Sequence, residues 1–472
     1  MLILAGFFEE QNLSENNRML KYIKLKKGFN INLKGKAQRT LSEDIQPATF
    51  ALKPTDFPGV QRGKVLVAEG ENVKAGTPVF YDKKMENIMY ASPVSGEVVA
   101  IKRGEKRKLL EIIILADKEI EFKPYERFSV SDIRNVSRDK VQEMMLRSGV
   151  WPNILQRPYG IVANPEDTPK SIFISGFDSH PLAPDYAYIF DGQEKYFQAG
   201  LDILKKFTDG DIHLTLEASG EVPRVFSQVR GLEINKISGP HPAGNVGVQI
   251  HHINPINKGE IVWTLNPYGV IQIGKLFLNG RYDASKYIAI TGSEVKNPQY
   301  YKTYSGANIG KFVGDTLSND HVRIISGNVL TGEKIDKDGH LGFYHHQITV
   351  IPEGDHYEMF GWIMPSTKKL SFYRGLGLFS FLNHKKEYTI DTNLQGGPRA
   401  FVVTGSFEKV TPMDIYPTYL LKAILAQDYD EMEALGIFEV IEEDLALCEF
   451  IDVSKHDVQA IVREGIDLMI HG

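Results

Sequence analysis

The sequence predicts an α+β chain of several domains, and three observations carry that reading. At 472 residues and 53.1 kDa the chain has length for about three or four domains of ~100–200 residues. Between Val65 and Gly104 short apolar runs are cut by glycine turns, the rhythm of a small all-β unit, and further on strands alternate with helix-period segments, the order of an α/β layer. From Ile415 onward apolar residues recur at helical spacing. The composition, 42% hydrophobic and 24% charged, is that of a soluble globular protein with sizeable cores, and a net charge of −6 argues against a nucleic-acid partner. Cys448 is the single cysteine, which excludes an internal disulfide, a Cys-built zinc site and an iron–sulfur cluster held by this chain alone, and favours a reducing compartment. No apolar run approaches the ~18 residues that span a bilayer; the longest is MLILAGFF, Met1 to Phe8, so contact with a membrane is expected only through partners.

Those first residues lack the basic region and small-residue cleavage site of a secretory signal and are read as a tail. Met19 stands just before the first strand-like segment, so Met1 to Arg18 is expected to be a start-site extension. Deleting it is expected to leave the melting temperature nearly unchanged; a drop of several degrees in a thermal scan would show that the tail packs. From Tyr22 to Asn32, YIKLKKGFNIN alternates apolar and polar residues as a half-buried strand broken by Gly28. The segments VLVAEGENVKAGTPVFYDKK and IMYASPVSGEVVAIKRG hold short strands with turns at Glu69-Gly70, Lys74 to Gly76 and Ser95-Gly96. Together they resemble the biotinyl/lipoyl-like barrel-sandwich hybrid, in which a modified lysine sits on the hairpin between the two halves, and Asp82-Lys83 resembles the lipoyl Asp-Lys pair. Lys83 lies ten residues before Pro93, longer than a tight hairpin needs, so a purely structural use of the fold is expected.

After Phe122 the composition shifts, and VSRDKVQEMMLRSGV carries Val141, Met144, Met145 and Ser148 at helical spacing. The run SGVWPNILQRPYG that follows is similar to the place where the flavin subunit of respiratory complex I and the C subunit of the Rnf complex carry a glycine-rich FMN loop. Gly149 and Pro152 persist, but Val150, Trp151 and Asn153 stand where glycines would let backbone approach a flavin phosphate, and their side chains are expected to occupy that space. Next, SIFIS leads through the turn Gly176-Phe-Asp178-Ser-His180-Pro181, where the Rnf protein has Gly-Ala-Glu-Cys-Glu-Pro, to the helix-like KYFQAGLDILKKF and the strand DIHLTLEAS, a Rossmann-like pattern. Gly239, Gly244 and Gly247 then follow an apolar strand, but their spacing is not G-x-G-x-x-G, and Pro240, Pro242 and a strand-like VGVQI point to a structural loop. GANIGK, Gly306 to Lys311, lacks one spacer of a P-loop and has Phe312 in place of the hydroxyl residue. His251 and His252, read as neighbours on a strand, face opposite ways and cannot chelate one ion, and with His340, His345 and His346 they are read as polar or packed residues. Asp336-Lys-Asp338-Gly339 is too short for a calcium loop and reads as a turn.

The run from Val262 to Val313, with KKGFNINLKGK, GPHPAGNVG, IISGNVLTG and LGFYHHQITVI, resembles the A-subunit family of the sodium-translocating NADH:quinone oxidoreductase from about Tyr22 to the C-terminus. The resemblance implies a soluble-ligand-binding β-grasp domain (SLBB-like). FVVTGSFEKVTP, Phe401 to Pro412, resembles a ferredoxin cluster loop, C-x2-C-x2-C-x3-C-P, with Phe401, Thr404, Phe407 and Thr411 in the four ligand slots and Gly405 and Pro412 retained. In IYPTYLLKAILAQDYDEMEALGIF, two helices are expected with Leu420, Leu421, Ile424, Met432 and Leu435 on their apolar face. The second Cys-rich loop of the related Rnf protein corresponds to EVIEEDLALCEFIDVS, where only Cys448 remains and Asp452 and Val453 replace a Cys-Pro pair; one thiol cannot hold a cluster, and a small buried role is expected for it.

The resulting partition is 1–20 extension, 21–120 barrel-sandwich hybrid, 121–255 Rossmann-like α/β domain, 256–330 SLBB-like β-grasp domain, 331–400 β-rich extension and 401–472 helical domain resembling a ferredoxin-type domain without clusters. No catalytic, cofactor-binding or metal residue is assigned to this chain. The resemblance implies a peripheral protein on the cytoplasmic face of the bacterial inner membrane, in a six-subunit complex that oxidises NADH, reduces quinone and exports sodium. FMN, FAD, riboflavin and the iron centre would belong to the five partner subunits, among them the membrane-embedded B subunit, and a quinone contact near this chain is a family-level proposal. The outer face of the helices from Tyr416 to Ile470 would meet the membrane-embedded partner. Two alternatives stay open, an autonomous flavin- or NAD-dependent oxidoreductase and a carrier protein modified at Lys83.

Overall fold

The computed structural model describes residues 21–42, 46–361, 363–373 and 385–471; the extension 1–20 and its expected dispensability lie outside them. Two small antiparallel sheets build the first domain. One orders Thr49–Leu52, Leu109–Ala116, Gly96–Arg103 and Asn72–Val73, and the other Gly63–Val65, Pro78–Asp82 and Met85–Ala91. Period-2 alternation turns Val79, Ile88, Val98, Ile112 and Ile114 into a common core. The Pro78–Asp82 and Met85–Ala91 strands are joined by Lys83-Lys84 alone, with Asp82 paired to Met85. The expectation of an overlong hairpin at Lys83 is therefore corrected: two register shifts inside the pair absorb the extra residues and leave a two-residue tip.

The second layer is a seven-stranded sheet with the order Lys21–Lys24, Glu233–Ser238, Ile212–Glu217, Ser171–Ser175, Val262–Leu265, Leu155–Arg157, Ile161–Val162. Its first five strands run parallel. Ile172, Phe173, Ile174, Leu214 and Leu216 are buried, as expected for strands covered on both faces. Successive crossovers step outward from Ser171–Ser175 to Ile212–Glu217 and Glu233–Ser238, and the next returns to the other side of Ser171–Ser175, where Val262–Leu265 pairs. The direction of winding thus reverses between Ser171–Ser175 and Val262–Leu265.

Four expectations change here. The strand read from Tyr22 to Asn32 ends at Lys24. Gly28, at φ +132°, turns the chain so closely over the next loop that a Cβ would clash with the His241 carbonyl oxygen. VGVQI is not a strand but the start of the helix Val246–Ile253; Val246, Ile250 and Ile253 keep the i, i+4, i+7 spacing of one helix face, which a short apolar run does not separate from alternation. Residues 256–284 sit with the parallel sheet and not with the β-grasp unit, because Val262–Leu265 pairs in that sheet and the helix Pro267–Asn279 packs on Glu194–Leu204. In that helix pair a Cβ at Gly274 would collide with the Tyr196 carbonyl oxygen, so the backbones touch where no side chain fits. The fourth concerns 331–400: Glu333–Ile335 and Gln347–Pro352 complete a six-stranded mixed sheet with Val322–Ser326, Ser285–Thr291, Gln299–Tyr304 and Gln38–Ser42, and the described residues beyond Pro352 form no strand before the C-terminal helices.

Pro417–Ala426, Tyr429–Ala434, Glu442–Ile451 and Val458–His471 are helices around a core of Leu420, Leu421, Ile424, Met432, Leu445, Cys448, Val462 and Ile466. Leu435 is only half-buried. The stretch read as a second Cys-rich loop is the helix Glu442–Ile451, whose apolar residues Leu445, Leu447, Cys448 and Ile451 follow helical spacing.

Candidate functional site

Where a parallel sheet reverses its winding, the loops at the carboxyl ends of the strands part and leave a crevice, the usual place for a ligand in such a sheet. Here a cleft of 740 Å³ opens at that end, walled by the loops after Ser171–Ser175, Ile212–Glu217 and Glu233–Ser238. Its floor carries Asp178, Ser179, His180 and His241. The Asp178 carboxylate accepts from the backbone N–H of His180 at 2.9 Å and lies 2.6 Å from His180 Nδ1. Burial opposes charge on both groups, but their mutual attraction outweighs it, so the His180 pKa is raised and that of Asp178 lowered. His241 packs its ring 4.7 Å from His180. Burial, with His180 beside it, pushes His241 down to about 3. Ser179 Oγ accepts from Gly244 N at 2.8 Å and lies 3.0 Å from His241 Nδ1. Burial disfavours proton uptake by the His241 imidazole of this Ser–His pair. The bonds of the pair join two loops of the cleft floor.

Gly239 and Gly244 lie between a parallel strand and a helix, and Gly247 lies in the first turn of that helix, contrary to the strand expected there. The space their missing side chains leave is filled from within the chain. A Cβ at Gly239 would meet Leu25, at Gly244 Ser179 N, and at Gly247 the Asp444 carboxylate and the Arg157 guanidinium. Arg157 and Asp444 form an ion pair that sequence reasoning missed. Arg157 reaches Asp444 Oδ2 at 2.5 Å and Glu443 Oε1 at 2.8 Å, and both Arg157 and Asp444 are 2% exposed. The two residues stand 287 positions apart, one in the run resembling a flavin loop and the other in the stretch read as a second Cys-rich loop, and nothing local to either pairs them.

The region resembling a flavin loop is packed with side chains. Gly149 ends the helix Arg138–Ser148 in the left-handed conformation, after which Val150 and Trp151 are wholly buried. Trp151 meets Trp263 and Phe207 edge-on at 5.6 Å and donates to Ala163 O, while Asn153 donates to Gln272. Of the four cluster-like slots, Phe407 is buried, Phe401 is half-buried between Phe407 and His456, Thr404 is exposed, and Thr411 is buried with Oγ1 3.3 Å from Cys448 Sγ. Burial pushes the Cys448 thiol up to about 12.

The histidines have partners. His251 and His252 lie on a helix and tie it to the C-terminal domain, His251 through Glu439 at 2.8 Å and Asp414 N at 3.1 Å, His252 through Pro412 O at 2.8 Å. His345 pairs with Ser326 and His346 packs on Tyr268. Among the described residues no three His, Cys, Asp or Glu side chains are grouped to hold a metal ion. In the region resembling a P-loop, Phe312 is fully buried.

These buried neutral imidazoles imply a pH dependence. His241 and His345 are both held near 3, chiefly by burial, whereas in the unfolded chain they titrate near ~6.5. Between those values the unfolded state binds more protons, so stability is lost as pH falls from about 6.5 toward 3, by up to ~1.4 kcal/mol per pH unit for each group. Asp56, raised by burial to about 6, works in the opposite direction, so comparison with a variant isolates the effect. His241→Gln is expected to lose less stability than the parent between about pH 7 and pH 4.5 in urea unfolding, and equal losses would contradict a neutral buried His241.

Three family profiles match the chain in succession: "NqrA N-terminal barrel-sandwich hybrid domain" over residues 23–117, "NqrA second alpha/beta domain" over 136–282 and "NQRA C-terminal domain" over 287–337. The chain is 37% identical over 445 residues to the A subunit of Na(+)-translocating NADH-quinone reductase from Yersinia pestis bv. Antiqua (strain Angola). It is 35% identical over 447 residues to the protein of that name from Pasteurella multocida (strain Pm70), and 36% identical over 449 residues to that of Neisseria meningitidis serogroup A / serotype 4A. Each alignment covers 94% of this chain and 98% of the relative. An NAD+-reducing [NiFe]-hydrogenase chain superposes with a TM-score of 0.36 at 12% identity, over 75% of this chain and 66% of that one, too loosely to carry an argument. No helix among the described residues is long and apolar enough to cross a membrane.

Proposed function

The chain belongs to the A-subunit family of Na(+)-translocating NADH-quinone reductase, and from that premise we propose that it is the peripheral, cofactor-free component of a complex that couples NADH oxidation and quinone reduction to sodium export. The observation that carries this reading is the likeness over 94% of the chain and 98% of each relative. Its place is the cytoplasmic face of the bacterial inner membrane. Its partners are the five other subunits, including the membrane-embedded B subunit, which hold FMN, FAD, riboflavin and the iron centre, and quinone is met at or near this chain. The C-terminal helices are a ferredoxin-type domain that has exchanged its clusters for packing. Support for the cofactor-free part comes from side chains: Trp151 fills the flavin-like loop, and Phe407 and Thr411 occupy ligand slots that neither aromatic ring nor hydroxyl can use to hold a cluster. The isolated chain is expected to be colourless, without flavin absorbance, and to contain no iron after chelation. Stoichiometric iron or flavin in elemental and absorbance analysis would overturn the reading.

One observation favours a second reading, a carrier modified at Lys83: that residue is exposed at a two-residue hairpin tip. Lys84 shares the tip, and the buried Asp82 carboxylate beside Lys83 accepts from the Arg62 backbone N–H at 3.1 Å. Intact mass decides, since a biotinyl or lipoyl adduct adds a fixed increment and the structural reading expects none.

A further inference from the structure

A stripe of large side chains stands out on the first two C-terminal helices. Tyr416 is 59% exposed, Tyr419 51%, Leu425 53% and Tyr429 41%, although the opposite side of the same helices is fully buried at Leu420, Leu421, Ile424 and Met432. Tyr416 and Tyr419 already meet edge-on at 6.5 Å. Exposed tyrosines with a leucine are the composition of an interface core, since each ring offers a large area at little cost in side-chain freedom. The same two helices carry the exposed carboxylates Asp428, Asp430 and Glu431 and one cation, Lys422, which lies three residues from both Tyr419 and Leu425 on the exposed side of the first.

That charge decides what covers the stripe. An anionic lipid surface is disfavoured, because the negative inner leaflet repels the exposed carboxylates. A second copy of this chain would set the same acids against each other. Cytoplasmic loops of membrane-embedded proteins, by contrast, carry an excess of Lys and Arg, and arginine both pairs with carboxylates and stacks on tyrosine rings. We propose that the Tyr416–Tyr429 stripe is the docking surface for a lysine- and arginine-rich cytoplasmic loop of a membrane-embedded partner. The proposal rests on the assembly reading above and names the surface by which it is achieved. Another exposed apolar stretch, around Tyr357, Met359 and Phe360, differs in that its Glu358 is already tied to Lys369 at 2.7 Å.

The test uses the assembled complex, captured in detergent through a tag on one of the membrane-embedded proteins, with retention of this chain as the readout. Wild-type chain is expected to be retained, and to be released as NaCl rises from about 0.05 to 0.5 M, the range over which surface charge is screened. The variant Tyr416→Ser/Tyr419→Ser/Leu425→Ser is expected to be retained roughly tenfold less, the scale of losing aromatic anchors. Asp428→Asn/Asp430→Asn/Glu431→Gln, in which Asn still caps the second helix, is expected to dissociate already at low salt. Melting temperatures equal to wild type show that both variants fold, as substitutions at exposed positions should. Met359→Ser/Phe360→Ser is the control and is expected to stay bound. A photo-crosslinker at Tyr419 is expected to label a basic cytoplasmic loop of a membrane-embedded protein of the complex. Wild-type retention of both stripe variants, release of the control instead, or crosslinks only to lipid or to a second copy would overturn the docking surface while leaving the assembly reading intact. Absence of the wild-type chain from the captured complex would overturn both.

Discussion

Replacing Arg157 by Ala is expected to lower the stability of the chain by ~3–5 kcal/mol, the size of effect seen when one partner of a buried ion pair is removed. The Asp444 side chain is fully buried, and its Oδ2 takes both the 2.5 Å bond from Arg157 and a 3.0 Å bond from the backbone of Ile441. Its Oδ1 has no hydrogen-bond partner in this structure. Without the guanidinium the carboxylate would stand uncompensated at the seam between the strand Leu155–Arg157 and the helix Glu442–Ile451. The loss belongs to the broken pair and not to the worth of the intact one. The double substitution Arg157→Met with Asp444→Leu is therefore expected to recover part of the stability, because it removes the buried carboxylate together with the guanidinium, and the Glu443 carboxylate that remains is one-third exposed and can reach water. Urea unfolding of the three proteins checks this, and a single variant as stable as wild type would contradict it.

Phe407→Ala is the second large effect, expected at ~3–5 kcal/mol as for other buried Phe truncations. A cluster would fasten this loop by thiolate bonds; here the fastening is apolar. Phe407 is 3% exposed and meets Phe401 edge-on at 5.8 Å, in the same core as Val410, Cys448 and Leu445. Emptying that ring leaves a cavity in a small helical domain with little to close over it. Thr404, in a neighbouring slot, is exposed, and Thr404→Ala is expected to change stability by less than ~0.5 kcal/mol. The contrast between the two positions is the informative result. Equal effects would mean that the loop is not packed as described, and wild-type stability in Phe407→Ala would leave the replacement of cluster by core without support.

Much of this organisation was legible in the residues, and the illegible parts have identifiable causes. SIFIS holds the continuous apolar run Ile172 to Ile174, so a strand buried on both faces follows from composition, whereas IHLTLE alternates and its polar His213 and Thr215 are buried as well. VGVQI misled because five residues satisfy both a period of 2 and a period of 3.6; the helix Val246–Ile253 is decided by the crossover it must make between two parallel strands. The boundary placed at 255/256 failed for a related reason, since a final strand and helix of an α/β layer look locally like the opening of the next domain. The cleft over the carboxyl ends of Ser171–Ser175, Ile212–Glu217 and Glu233–Ser238 depends on strand order, which no local pattern encodes. The contact of Thr411 with Cys448 and the ion pair of Arg157 with Asp444 join positions far apart in the chain. What the sequence did announce at Phe401 to Pro412 was a mismatch, rings and hydroxyls in a loop of cluster-like spacing, without saying what the side chains meet.

The measurement that bears most directly on the central claim is the cofactor and protein content of the complex captured through a tag on this chain. The account predicts that the chain is recovered with membrane-embedded partners in equal amounts and with NADH-dependent quinone reduction. It predicts also that the chain separated from them carries neither flavin nor iron while its partners carry both. Recovery of the chain alone, with a flavin or a stoichiometric metal bound to it and NADH oxidation in the absence of partners, would contradict that account.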